Sequence, residues 1–336
     1  MRSGAARWWL TRRKAAARRI PGSLPSLLAR FAANIFWMAR YLERAESLAR
    51  ILDINQTYAR DNSEGRDWRR VLDLYADTPR FVEQHDRTDA ASVLHFDVLD
   101  RTNPTSIASA VAAARQNALS VRHLISTEMW TQLNIFHYYV AGLTQRDIRL
   151  SNLSRICTHI KLDCQTIEGI AEGTLLRGEA WRFYQLGKYI ERADQTTRVL
   201  DIGYERLSAG EDDAIISVQW NALLRSVAGY HAYRGRHPAG SYARDVAAFL
   251  LYDKEFASAV ALCIDRISEC LKDLDNRHGG KGRVDVEGAR RAVEFALETG
   301  PGQRVTPRHL HRFIDDLQAG IGRLSNAIGE AYFANS

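Results

Sequence analysis

The chain has 336 residues, 46% of them hydrophobic, enough to bury one large core or two tightly packed halves. Its formal charge is +6, but Arg2, Arg7, Arg12, Arg13, Lys14, Arg18 and Arg19 supply seven positive charges with no acid before Glu43, leaving about −1 for the remainder. Near-neutrality argues against nucleic-acid binding by the folded part, no apolar run approaches the roughly 18 residues of a membrane span, and four cysteines are too few for a disulfide framework and point to a reducing cytoplasm.

Residues 1–26 form a basic tail, expected to be disordered or the product of an overlong gene start; a basic arm touching membrane or nucleic acid is the alternative. The apolar stretch Trp8–Leu10 is too short for a secretory signal. From Leu27 the apolar periodicity predicts helices over 27–60, 67–76, 89–99, 103–127, 128–140 and 145–173. It predicts a second series over 175–209, 213–234, 241–252, 254–276, 286–298 and 307–334. Pro79 is expected to break the chain, and Asn103 to cap a helix whose first residue is Pro104. No stretch alternates with period two for long enough to predict a strand.

The first helix contains the unusual stretch, Phe36 to Asp53. Ile35, Met38, Leu42, Ala45, Ala49 and Leu52 fall on one face, and Phe36, Trp37, Leu48 and Ile51 cover most other directions, so the helix is expected to be surrounded by protein. Its charges form two stripes between these apolar groups. Glu43, Glu46 and Arg50 lie on one flank, with Glu46 and Arg50 at the favourable i,i+4 spacing; Arg40 and Arg44 lie on the other. Buried charges must be paired, because each unpaired one costs roughly several kcal/mol.

A matching set recurs 148 residues later, in Tyr184 to Asp201. Arg40 aligns with Lys188, Tyr41 with Tyr189, Glu43 and Arg44 with Glu191 and Arg192, Glu46 with Asp194, and Arg50 with Arg198. Weaker matches extend this: Trp68 with Trp220 and Phe81 with Tyr233 at offset 152, Phe96 with Phe249 at 153, and Ser109–Val111 with Ser258–Val260 at 149. The expected fold is an all-α helical bundle made by tandem duplication of a roughly 150-residue, about six-helix unit, with repeats over 27–173 and 174–336 packed as one domain. The two copies of the central helix are expected to form a pseudo-two-fold pair cross-linked by Arg and carboxylate groups.

LARFAANIFWMARYLERAESLARIL and LLRGEAWRFYQLGKYIERADQTTRVLD, with NPTSI at Asn103–Ile107, STEMW at Ser126–Trp130 and WNALLRSV at Trp220–Val227, resemble the bacterial alpha-E domain family from about Leu27 to Phe333. The resemblance implies an all-helical protein encoded beside, or fused to, circularly permuted ATP-grasp and transglutaminase-like proteins. It thereby implies a part in peptide or amide-bond formation or modification, and it names no catalytic residue.

The candidate site is therefore the cluster Arg40, Tyr41, Glu43, Arg44, Glu46, Arg50, Lys188, Tyr189, Glu191, Arg192, Asp194 and Arg198, either a structural ion-pair network or a pocket for a carboxylate or phosphate. Four carboxylates, Glu43, Glu46, Glu191 and Asp194, are expected to face one another. A di-metal centre needs Glu-x-x-His, and Glu46 stands three residues after Glu43, so neither a metal nor a cofactor is expected. Cys157–Cys164 and Cys263–Cys270 are two helical turns apart, too far to bridge, and are expected to be buried free thiols. His309 and His311 are expected to be exposed polar residues, and HGGKG at His278–Gly282 and HPAG at His237–Gly240 to be connections, since neither has the spacing of a phosphate loop. The functional expectation is a non-catalytic scaffold or substrate-presenting partner of an ATP-grasp or transglutaminase-like protein. The alternative is an enzyme or binder using the Arg/Glu/Tyr cluster, with Glu43 or Glu191 as general base.

Overall fold

Helix α1 (Ala29–Asp61) takes its apolar pattern into the middle of the protein. Ile35, Met38, Leu42, Ala45, Ala49 and Leu52 are all buried, and so are Phe36 and Leu48 from the other directions. Trp37 is exposed, at 37%, and Tyr41 and Ile51 are partly buried. The structure is a computed structural model describing residues 27–61, 68–207, 213–238, 240, 242–278, 283–300 and 307–333. The tail over 1–26, residues 279–282 of the HGGKG connection and Ala239 of HPAG lie outside the described residues.

After α1 come α2 (Arg69–Leu74), α3 (Thr78–Val82), α4 (Ala90–Leu94) running into a π-helical turn His95–Leu99, α5 (Ile107–Ser120), α6 (Thr127–Ala141) and α7 (Leu150–Thr174). Then follow α8 (Glu179–Leu207), α9 (Asp213–Ser226), α10 (Tyr230–Arg236), α11 (Ala243–Tyr252), α12 (Val260–Arg277), α13 (Val284–Thr299) and α14 (Pro307–Phe333). The fold is all-helical, and the described residues contain no strand. Helices α1 and α8 lie side by side at the centre; α5 and α7 flank α1, while α12 and α14 flank α8. Helix α6 covers α5 and α7, and α13 covers α14. No described helix is long and apolar enough to cross a membrane.

The central pair is held close by a missing side chain. A Cβ on Gly187 would lie 2.1 Å from the Phe36 carbonyl oxygen and 3.2 Å from the Ala39 Cβ. Only glycine lets α8 cross α1 at that distance.

Several predicted boundaries move. Asn103 does not cap α5; Ser106 does, its Oγ accepting the Ser109 N–H at 3.1 Å. Asn103 is instead fully buried, donating from Nδ2 to the Phe96 carbonyl (3.0 Å) and accepting the Thr105 N–H (3.1 Å), so Pro104 sits in a turn before the helix. The helix predicted over 103–127 ends at Ser120, and Ser126 begins a new one by accepting the Met129 N–H at 3.1 Å. Pro79 opens α3 rather than breaking the chain, because its missing N–H is not needed in a first turn. The helix predicted over 213–234 stops at Ser226, where Ala228 takes φ 59° and the Gly229 N–H returns to the Leu224 carbonyl at 2.6 Å. Ala76 does the same after α2, with φ 53° and the Asp77 N–H on the Leu72 carbonyl at 2.9 Å. Both are left-handed helix closures built on Ala, where Gly or Asn is the usual choice.

Beneath the first of these turns lies a buried polar cluster. Asp77 accepts from Arg80 (2.6 Å) and from the Thr105 hydroxyl. Asp97, in the π-helical turn, is 2% exposed and its Oδ2 has no partner among the described residues. Burial, reinforced by the charge of Asp77, raises the Asp97 carboxyl well above its ordinary value.

Two outcomes follow from this packing. Gly187→Ala should destabilise the chain by about 3 kcal/mol in denaturant unfolding, since the methyl group meets backbone that cannot step aside; a change near zero would refute the close crossing. Asp97→Asn should stabilise the protein by about 2 kcal/mol near neutral pH. With its folded value raised, the Asp97 carboxyl stabilises fully only below its ordinary 3.8 and loses that contribution as pH rises. The variant should therefore lack a downward slope that the parent shows between pH 4 and 8, as read by melting temperature across that range.

Candidate functional site

Along α1 and α8 the charged side chains sort into one closed layer and one open one. In the closed layer Glu191 has no exposed surface. It accepts Arg40 Nε at 2.7 Å, Arg44 through Nε at 2.6 Å and Nη2 at 3.1 Å, and Gln195 Nε2 at 3.1 Å. Arg40 also donates to Ser325 Oγ at 2.9 Å and lies over the Trp37 ring at 4.8 Å. Tyr75 completes the layer by donating to Gln195 Oε1 at 2.8 Å. Burial alone would raise the Glu191 carboxyl, but the two guanidinium groups outweigh it and hold the group at about 2. A carboxylate so held cannot act as a general base near neutrality, which removes Glu191 from that role.

The open layer is built on Glu43. Arg192 grips its two oxygens from Nε at 2.6 Å and Nη2 at 2.8 Å. Arg44 and Arg192 thus make the same bidentate fork, each on the glutamate of the other helix. Beside Glu43, Glu46 accepts Arg50 and Gln165, the latter at 2.9 Å. Lys188 turns away from Glu43 to Glu168 of α7. A cleft of about 300 Å³ opens here, with Glu43, Glu46, Arg50, Glu168, Arg192 and Gln195 among its walls. Burial and the neighbouring Glu43 both raise the Glu46 carboxyl. Asp194 and Arg198 pair with each other at 2.8 Å, and Arg198 also donates to the Leu74 carbonyl at 3.2 Å. Tyr41 lies 5.8 Å from the Arg44 guanidinium. Tyr189 lies 5.1 Å from the Lys188 ammonium and is half-buried, which raises its hydroxyl.

The four carboxylates expected to face one another do not form one group. Glu191 belongs to the closed layer, Glu43 and Glu46 to the cleft, and Asp194 to its own pair with Arg198, because side chains three apart on a helix diverge once partners pull them to different neighbours. The group that does assemble is Glu43, Glu46 and Glu168, with one oxygen from each within 4.8 Å of the others. These three could hold a cation, although Arg192, Arg50 and Lys188 already engage them. Asp201, His311 and Asp315 make a second such group at the surface, with His311 Nδ1 2.5 Å from Asp201. Sequence reasoning missed Glu168 and Gln165, which lie on α7, and Tyr75, which follows the last residue of α2. Gln195 was legible as the residue one turn after Glu191. The four cysteines are buried free thiols. Burial pushes Cys157, Cys263 and Cys270 up to about 12 and Cys164 well above its usual range, so none is poised to react.

Residues 27–333 match the Alpha-E family, described as a predicted alpha-helical domain with a conserved ER motif. Glu43–Arg44 on α1 and Glu191–Arg192 on α8 are Glu-Arg dipeptides, and they exchange bidentate ion pairs. Uncharacterized proteins of Mycobacterium bovis and Mycobacterium tuberculosis are 24% identical to this chain over 272 residues, covering 74% of it and 30% of their own length. The chain thus spans less than a third of these curated relatives. No solved structure matches it.

The two layers should respond differently to loss of a charge. Glu191→Gln leaves Arg40 and Arg44 without a counter-charge and should cost about 3–5 kcal/mol. Glu46→Gln removes a carboxylate that already lies beside another and should change stability by less than about 1 kcal/mol. Because Glu191 is held below its ordinary 4.5, its contribution is present above that pH and is lost as pH falls toward about 2. Acid unfolding of the Glu191→Gln variant should therefore be shallower than that of the parent in that window.

Proposed function

The chain belongs to the Alpha-E family, and from that premise we propose that it is a non-catalytic scaffold or substrate-presenting partner in an ATP-grasp-linked system for peptide or amide-bond synthesis or modification. Its partner would be of circularly permuted ATP-grasp or transglutaminase-like type, and its place the cytoplasm. The observation that carries this reading is the exchange of ion pairs between Glu43–Arg44 and Glu191–Arg192. Glu191 is inaccessible and paired with Arg40 and Arg44, so this charge cluster fixes α1 against α8. The length of the mycobacterial relatives, of which this chain matches 30%, also fits a module that works joined to other parts.

The same reading takes the fold to be a tandem duplication with a pseudo-two-fold axis between α1 and α8. Support comes from features that pair at nearly constant offset: Arg44 on Glu191 with Arg192 on Glu43, Ala39 with Gly187, and the left-handed Ala76 with Ala228. Phe81 stacks on His85 at 4.6 Å, and Tyr233 on His237 at 4.4 Å. Helix starts at Ile107 and Val260 favour offset 153 there, in place of the 149 suggested by Ser109–Val111.

A second reading rests on the cleft. Its 300 Å³ beside Glu43 would admit a small polar molecule, with Arg192 and Arg50 for a carboxylate or phosphate. All these cations already have carboxylate partners, Arg192 on Glu43, Arg50 on Glu46, Lys188 on Glu168 and Arg40 and Arg44 on Glu191, so an anion would have to displace Glu43 or Glu46 to be held here.

Native pull-down of the tagged full chain from its own host, with mass spectrometry, separates the two. Stoichiometric recovery of an ATP-grasp or transglutaminase-like protein is the expected result. A chain that purifies alone carrying a small molecule would overturn the scaffold reading in favour of the cleft.

A further inference from the structure

Helices α5 and α6 carry a strip of arginines and rings that neither the ion-pair layers nor the cleft uses. Arg115 lies on α5, with Arg101 and Arg122 on its flanks; Trp130, His137 and Tyr138 lie on α6. The Arg115 guanidinium is 5.5 Å from the Trp130 ring and 5.8 Å from the Tyr138 ring, and that of Arg122 is 5.7 Å from Trp130. Arg115 Nε also donates to Asn134 Oδ1 at 2.8 Å, and Asn134 donates onward to the Trp130 carbonyl at 2.7 Å. Burial lowers the pKa of His137, and the charges of Arg115 and Arg101 lower it further, so both cations lie within electrostatic reach of that ring.

The partners of Arg115 and Arg122 are thus an amide and rings, all neutral. Among the described residues no carboxylate forms an ion pair with Arg101, Arg115 or Arg122. Helix α13, which covers α14, behaves differently: its Arg290 pairs with Glu287 and Glu294, and its Arg291 with Glu287. From Arg101 to Lys161 the chain has seven Lys and Arg against two Asp and Glu, although residues 27–336 sum to about −1. Positive charge is gathered in this part of the molecule and left without counter-charge. Apolar groups stand beside it: Tyr138 is 65% exposed, Ile135 53%, and Leu119, one turn after Arg115, 48%. Arg, Tyr and Trp are the side chains that protein interfaces concentrate. An arginine already held over rings also has less freedom to lose when a partner arrives.

We propose that this α5–α6 face docks an acidic segment of a partner protein, its carboxylates on Arg101, Arg115 and Arg122 and its apolar side chains on Leu119, Ile135 and Tyr138. Charge complementarity selects the acidic class, and the exposed hydrocarbon among the cations selects a peptide over a bare polyanion. The near-neutral total of residues 27–336 disfavours nucleic acid and anionic membrane, both of which draw on net positive charge. The inference deepens the scaffold reading and rests on it only for the existence of a partner.

The test is hydrogen-exchange mass spectrometry of the full chain with a synthetic glutamate–tyrosine copolymer, alongside a binding titration. Protection should fall on α5 and α6, and the copolymer should bind more tightly than polyglutamate. Replacing Arg101, Arg115 and Arg122 together by Gln should weaken it by about tenfold or more, and Tyr138→Ala, at an exposed position, by about fivefold. Replacing three exposed cations elsewhere, Lys272, Arg312 and Arg323, should change binding by less than about twofold. Protection confined to other parts of the chain, binding unchanged in the triple variant, or equal protection of this face by oligothymidylate or phosphatidylserine vesicles would overturn the proposal. In the native pull-down, a partner recovered equally well by the triple variant would sink the face and leave the scaffold reading intact. Absence of any partner counts against the scaffold reading, while the copolymer result decides the face.

Discussion

Everything in this fold depends on two guanidinium forks that cross between neighbouring helices. Arg44 grips Glu191 and Arg192 grips Glu43, with the four groups contributed alternately by α1 and α8. Placing charge between two central helices is costly in itself, since each ion gives up its water. The geometry offsets that cost because both oxygens of each carboxylate meet a planar donor pair. It also fixes register: sliding either helix by one residue would separate four charges at once. Apolar packing alone is far less particular, because a leucine accepts many neighbours of similar size. The ion pairs define which residues of α1 and α8 meet, and Gly187 defines how closely.

The two forks are alike in geometry and unlike in surroundings. Around Glu191 a second arginine, Arg40, and the amide of Gln195 fill the remaining space and seal the group. Around Glu43, Lys188 is engaged by Glu168 instead, and a cleft opens beside Glu43 and Glu168. One carboxylate of the pair is thus out of reach of solvent and the other borders a cleft.

Much of this was legible from the chain. A helix apolar on nearly all sides has to be central, and its charges have to find partners of opposite sign; the only comparable set lies 148 residues away. The pairing of Glu43 and Arg44 with Arg192 and Glu191 follows from those two facts. Less legible was anything decided by groups outside the pattern. Glu168 and Gln165 sit on α7, an ordinary amphipathic helix, and nothing in their spacing marks them as neighbours of Glu43 and Glu46. The cap of α5 was misplaced because Asn103 is a good cap by composition, while its buried amide is taken by Phe96. Local preference gave way to a tertiary hydrogen bond. Breaks at Ala76 and Ala228 were hidden for a related reason, since alanine is the residue least expected to leave a helix.

Departures from symmetry carry the information that the symmetric parts cannot. On the proposed duplication, Asp97 corresponds to Leu250 and Asn103 to Phe256, so one half has a buried polar cluster where the other has an aromatic plug. Phe249 and Phe256 stack at 4.6 Å, and a Cβ on Gly229 would lie 2.9 Å from the Phe256 ring. On that proposal the apolar version reaches the same shape without the polar one. Asp97, unpaired in a π-helical turn, therefore lowers stability without being required by the fold. Where one copy of a structure manages without a buried polar group, that group's presence in the other copy calls for a role beyond folding, and a ligand or a moving proton is the physical form such a role can take.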